Sequence, residues 1–208
     1  MTISSHAPGS YLSIASNIGY LFINALFYYS IPHGIQRFPY FPYTFFMVFS
    51  ASLIWHICFA DGIGYCFHKL QDAIYITDLL MSLQGSIEIF SLFIAESNRH
   101  MYRARLIASA LLVVAMGSAF DLIPGIFILI IYVHNLWTIR HHILHGRVFL
   151  YQICSTLTCA GSLFMKAYQD TDYDYFHMAW HLLSALTGII ELLIYNYDFP
   201  NKSIFYKY

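Results

Sequence analysis

Apolar residues in this chain fall into long blocks separated by short polar stretches. A hydrocarbon core of about 30 Å is crossed by roughly 20 residues of helix. Blocks of that size occupy residues 11–30, 41–62, 72–95, 104–120, 122–139, 148–168 and 173–195. The pattern predicts an all-α membrane protein, a bundle of seven transmembrane helices with short connections, in a single domain over residues 1–208. The stretch from Ala104 to Ile139 is too long for one span, and Gly117, Ser118, Asp121, Pro124 and Gly125 interrupt it. It reads as a tight hairpin with a Pro/Gly tip.

Charge placement selects between that hairpin and one tilted helix, because basic residues accumulate in cytoplasmic loops. With seven spans, Arg37, Arg99, Arg103, Arg105, Arg140, Arg147, Lys202 and Lys207 share one side, and only Lys69 and Lys166 take the other. With six spans the bias disappears. Seven helices are therefore expected, with the N-terminus extracellular and the C-terminus cytoplasmic. Asn201-Lys202-Ser203 is a glycosylation sequon that this orientation keeps in the cytoplasm.

Composition agrees with membrane insertion: 59% of residues are hydrophobic, 19% aromatic and only 10% charged. The 18 Tyr and 18 Phe suit a chain with wet interfaces at both ends of its helices. A net charge of −1 leaves no basic field for nucleic acid. The N-terminus lacks the basic region and cleavage site of a secretory signal, so the first block is expected to stay as an anchor. The C-terminus carries no lipidation box. Cys58, Cys66, Cys154 and Cys159 lack CxxC spacing and are expected to pack as thiols, with neither a disulfide framework nor a thiolate zinc site.

Ionisable groups within a span are costly and become candidates for function. His177 and His181, four residues apart on the seventh helix, share a face. Ser52 and His56 repeat the spacing on the second helix. Because the two helices run in opposite directions, His56 and His181 reach similar depth, each about 10 Å below the outer boundary. Asp72 lies at the outer start of the third helix, with Asp78 about 9 Å deeper. Zinc suits this set, with His56, His177 and His181 as ligands and a fourth position for water. Asp72 and Ser52 would orient that water or the ligands. Histidines on helix faces also serve as hydrogen-bonding groups across a bundle, and the residues alone leave both readings open.

Deeper, Glu88 and Glu191 have no basic residue at their depth and are expected to be protonated, to share a proton or to face a cavity, with a structural hydrogen-bonding role as the default reading. The acidic, Tyr-rich loop around Asp170, Asp172 and Asp174 reads as a solvated face with an aromatic belt. Arg140, His141, His142 and His145 read as a solvated cytoplasmic loop, with contact to anionic lipid headgroups as the alternative.

Ser52-xxx-His56, Asp72 and His177-xxx-His181 on seven helices resemble the CREST superfamily of membrane hydrolases, which includes alkaline ceramidases and the progestin and adipoQ receptors. The resemblance implies three zinc-binding histidines, with the Asp and Ser beside them as catalytic groups. Trp55-His56-Ile57-Cys58 with Asp61-Gly62, Leu70-Gln71-Asp72, and the segment from Asp170 to His181 are similar to the branch of that superfamily that drives myoblast fusion at the plasma membrane. That branch ends in a cysteine-rich tail, whereas here no cysteine follows Cys159, which implies a divergent relative. The implied partners are membrane lipids, an auxiliary fusogen and further copies of the chain. Small residues at Ser109-Ala110 and Gly117-Ser118 offer faces for packing between copies.

Overall fold

Asn17 divides the first apolar block into α1 (Tyr11–Ser16) and α2 (Ile18–Ser30). Its side-chain amide donates to the Ser13 carbonyl at 2.9 Å, which satisfies a backbone acceptor at the break. The computed structural model describes residues 11–31, 38–59, 71–94, 96–117, 122–143, 146–168 and 172–198. The further helices are α3 (Phe41–Phe59), α4 (Gln71–Ser91), α5 (Glu96–Gly117), α6 (Leu122–Ile143), α7 (Gly146–Tyr168) and α8 (Tyr173–Asp198). Among the described residues there is no strand.

Proline marks two helix starts, Pro42 in α3 and Pro124 in α6. In a first turn its missing N–H removes no intrahelical bond. The stretch from Ala104 to Ile139 is divided between α5 and α6, as the Pro/Gly signal predicts. α5, however, starts at Glu96, earlier than the expected Ala104. Its first turns are too polar for a hydropathy pattern to register, and they are stabilised by contacts instead. Arg99 lies 4.2 Å from the centre of the Phe38 ring and donates to the Ile94 carbonyl at 3.1 Å. Arg103 lies over Tyr40 and pairs with Glu88 on α4.

That ion pair corrects the expectation that Glu88 has no basic neighbour. Once α5 extends back to Glu96, Arg103 belongs to the helix and reaches the carboxylate, which also accepts from Gln84 at 2.8 Å.

Successive helices pack side by side, and α8 returns against α1 and α2 while also contacting α4 and α7. The α2–α8 crossing is tight. A Cβ on Gly19 would lie 2.9 Å from Ala185 Cβ, and one on Gly188 would lie 2.9 Å from Ile23 Cδ1. Without a solvent-driven hydrophobic effect between helices in lipid, such close approach supplies the packing energy. Beside it, Phe27 stacks on Phe41 at 4.3 Å, and Tyr195 takes the edges of Phe38 and Phe93.

Among the described residues, three helices are long and apolar enough to cross a membrane, over Phe41–Cys58, Val148–Tyr168 and Asp174–Asn196, and Gly125–Trp137 is a shorter apolar stretch. Large apolar side chains such as Phe22, Tyr29, Phe46, Ile130, Leu150 and Leu157 face outward, which suits a lipid surround better than water.

Candidate metal centre

The tight α2–α8 crossing holds α1 against the first turns of α8, and α3 closes the third side. His56, His177 and His181 meet there, each at most 3% exposed, and one ligand atom from each lies within 4.8 Å of the other two. The Nε2 atoms of His56 and His177 are 3.1 Å apart. Ring centres are separated by 4.7 Å for His56–His177, 5.0 Å for His56–His181 and 4.6 Å for His177–His181.

This arrangement fits a shared ion. Two imidazole nitrogens on a tetrahedral zinc, each at about 2.05 Å, lie about 3.3 Å from each other. The observed separation also fits a single N–H···N bond, but such a bond engages only two of the three imidazoles. The tautomer of His181 favours the ion. Ser16 Oγ donates its one proton to the Ser13 carbonyl at 2.8 Å, and the same oxygen lies 3.0 Å from His181 Nδ1. Ser16 therefore accepts from Nδ1–H, and the lone pair of His181 is left on Nε2. A bond that fixes the ring and tautomer in this way is the usual companion of a metal-ligating histidine.

Ser52 is 2% exposed and sits one turn before His56 on α3, where it lies beside the Asp78 carboxylate of α4. Asp78 Oδ1 has no partner among the described residues. Asp72 is the second residue of α4, and its side chain lies outside the described residues. The acidic loop from Asp170 lies largely outside the described residues, as do the side chains of Arg140, His141 and His142 and the whole of His145 and Asn201.

Sequence reasoning missed the surroundings of the histidines. Trp180 presents its edge to His177 at 5.0 Å, and Tyr20 packs on His181 at 5.8 Å and hydrogen-bonds Ser184. Lys166 on α7 lies 4.3 Å from the centre of the Trp180 ring. Ser16 also went unassigned, since a serine inside an apolar block carries no signal until its partner across the bundle is known.

Below the histidines is an apolar cavity lined by Tyr20, Phe45, Val48, Phe90, Trp180 and Ser184, among others. Tyr20 and Trp180 border both the cavity and His181.

Cys58, two residues after His56, is disulfide-bonded, with its partner outside the described residues, while Cys154 and Cys159 are free. This corrects the expectation that all four cysteines pack as thiols; without CxxC spacing, the sequence carried no local signature of the bridge.

No protein-family model, curated protein or solved structure matches the chain.

Proposed function

We propose that this chain is a myomaker-like, multi-pass plasma-membrane protein that promotes cell–cell fusion by remodelling lipid. In this reading it has seven spans and an outer-leaflet zinc site at His56, His177 and His181. The observation that carries the site is the convergence of three buried imidazoles with the His181 tautomer held by Ser16. The fusion assignment rests on the motif resemblance of the segments around His56, Asp72 and His177 alone. The apolar cavity beneath the histidines supports lipid handling, since acyl chains and the lining share the same chemistry.

The disulfide supports the orientation. Such bonds persist in oxidising compartments, so the Cys58 end of α3, and His56 with it, belongs on the extracellular side. The N-terminus then lies outside and the C-terminus in the cytoplasm. Seven spans require α1 with α2, and α4, α5 and α6, to cross as well, despite their polar groups. Pairing of Glu88 with Arg103 lowers the cost of burying both charges there.

Expression in non-fusing cells, followed by mixing of two cytoplasmic dyes between neighbours, tests the fusion reading. It predicts mixed, multinucleate cells when a fusion-competent partner is supplied; no increase over untransfected cells contradicts it.

A second reading, a zinc-dependent lipid amide or ester hydrolase, is favoured by the Ser52–Asp78 pair. When bound, zinc supplies a Lewis acid for a lipid carbonyl and lowers the pKa of water. The three imidazoles would hold that centre, Asp78 or Asp72 would take a proton from the attacking water and return it to the leaving amine or alcohol, and the Ser52 hydroxyl would orient the carboxylate or the carbonyl oxygen. The cavity holds the chain and excludes bulk water. Turnover of ceramide or phospholipid by purified protein separates this reading from a site that binds lipid without cutting it.

A further inference from the structure

A second buried polar cluster joins α6, α7 and α8 away from the histidines. Glu191 on α8 accepts at Oε1 from Ser155 Oγ at 2.5 Å and Gln152 Nε2 at 3.2 Å, both on α7. The Gln152 amide also donates to the Tyr132 hydroxyl of α6 at 3.0 Å, and that hydroxyl lies 2.8 Å from Thr156 Oγ1. Asn135 follows Tyr132 by three residues, on the same face of α6. Glu191, Gln152, Ser155, Tyr132 and Asn135 are each at most 3% exposed.

The hydrogen bonds of this cluster do not balance. Among the described residues, Glu191 Oε2, Gln152 Oε1 and Asn135 Oδ1 have no partner, and the one matching donor group without a partner is Asn135 Nδ2. No lysine or arginine pairs with Glu191 among the described residues, and Arg103 is committed to Glu88. A buried carboxylate without positive charge is strongly disfavoured in this environment. A proton on Glu191 Oε2 would neutralise it and, donated to Gln152 Oε1, satisfy two of the three oxygens, but it would leave Asn135 Oδ1 without a partner. A water would fill acceptors without neutralising the charge.

We propose that the cluster binds a monovalent hard cation, sodium. The donors are all oxygens, which selects a hard ion, and the single carboxylate matches a single positive charge. Calcium and magnesium sites draw on more carboxylates or on retained water and phosphate. The ion ties α6, α7 and α8 together through Glu191, Gln152 and Asn135, with the hydroxyls of Ser155 and Tyr132 beside it. This site is independent of zinc and of the fusion reading.

Thermal unfolding of the full-length protein in detergent tests it, with sodium chloride exchanged for choline chloride at constant ionic strength. The expected result is a saturable rise in Tm of about 3 °C or more with sodium. Glu191→Gln should abolish the rise, and Asn135→Leu should move its midpoint about tenfold higher in sodium. Equal Tm in sodium and choline would overturn the site, as would a full sodium response in Glu191→Gln. Should Glu191→Gln fail to fold, Asn135→Leu and Gln152→Leu decide, because unchanged sodium midpoints in both would overturn it equally. A Tm that tracks pH with no dependence on sodium would assign the positive charge to a proton instead.

Discussion

Ser16 Oγ accepts a hydrogen bond from His181 Nδ1 across the α1–α8 contact, and its own proton is committed to the Ser13 carbonyl. A serine on the first helix thereby sets which nitrogen of a histidine on the last helix is free to bind a metal. Ser16→Ala should leave the bundle folded and weaken zinc affinity about tenfold, the low end for loss of such a supporting bond. Competition with a chelator of known affinity measures it; unchanged affinity would remove Ser16 from the site.

The Gly19–Ala185 contact is the second condition for that geometry. Gly19→Ala brings two Cβ atoms to 2.9 Å and forces the helices apart, which should cost about 1–3 kcal/mol. Pairing it with Ala185→Gly should recover most of the loss. Thermal unfolding of the two single variants and the double variant gives the coupling, and simple additivity would show that the two positions do not constrain each other.

Breaking the Arg103–Glu88 pair from one side should be worse than replacing both partners. Arg103→Leu leaves a buried carboxylate and should cost about 3–5 kcal/mol, whereas Arg103→Leu with Glu88→Leu should be close to neutral. Unfolding by denaturant or heat compares them, and equal losses in both variants would contradict the pairing.

Orientation is open to a thiol-labelling test. On intact cells, a membrane-impermeant maleimide should label the protein only after mild reduction. Cys58→Ser should label without reduction, because its partner is then released. Labelling that requires permeabilised cells would reverse the assigned orientation.

The helical divisions were legible in the sequence wherever hydropathy or proline marks them. Phe41, Leu122 and Tyr173 begin both the expected and the observed segments. The His177/His181 pair was legible because i, i+4 spacing is local. The early start of α5 was not, because its stabilising contacts are cation–π and ionic interactions with Phe38, Tyr40 and Glu88, distant along the chain. Sequence named Asp72 as the carboxylate beside the histidines; the nearness of Asp78 to Ser52 was not legible, because it depends on the packing of α3 against α4.

The central claim is that His56, His177 and His181 form a zinc centre, and metal analysis of the purified full-length protein tests it most directly. The account predicts about one zinc per chain in the wild type. In His177→Ala and His181→Ala variants that still reach the cell surface, it predicts little or none. Wild-type protein purified without chelator and free of metal, or retention of zinc in both variants, would contradict it.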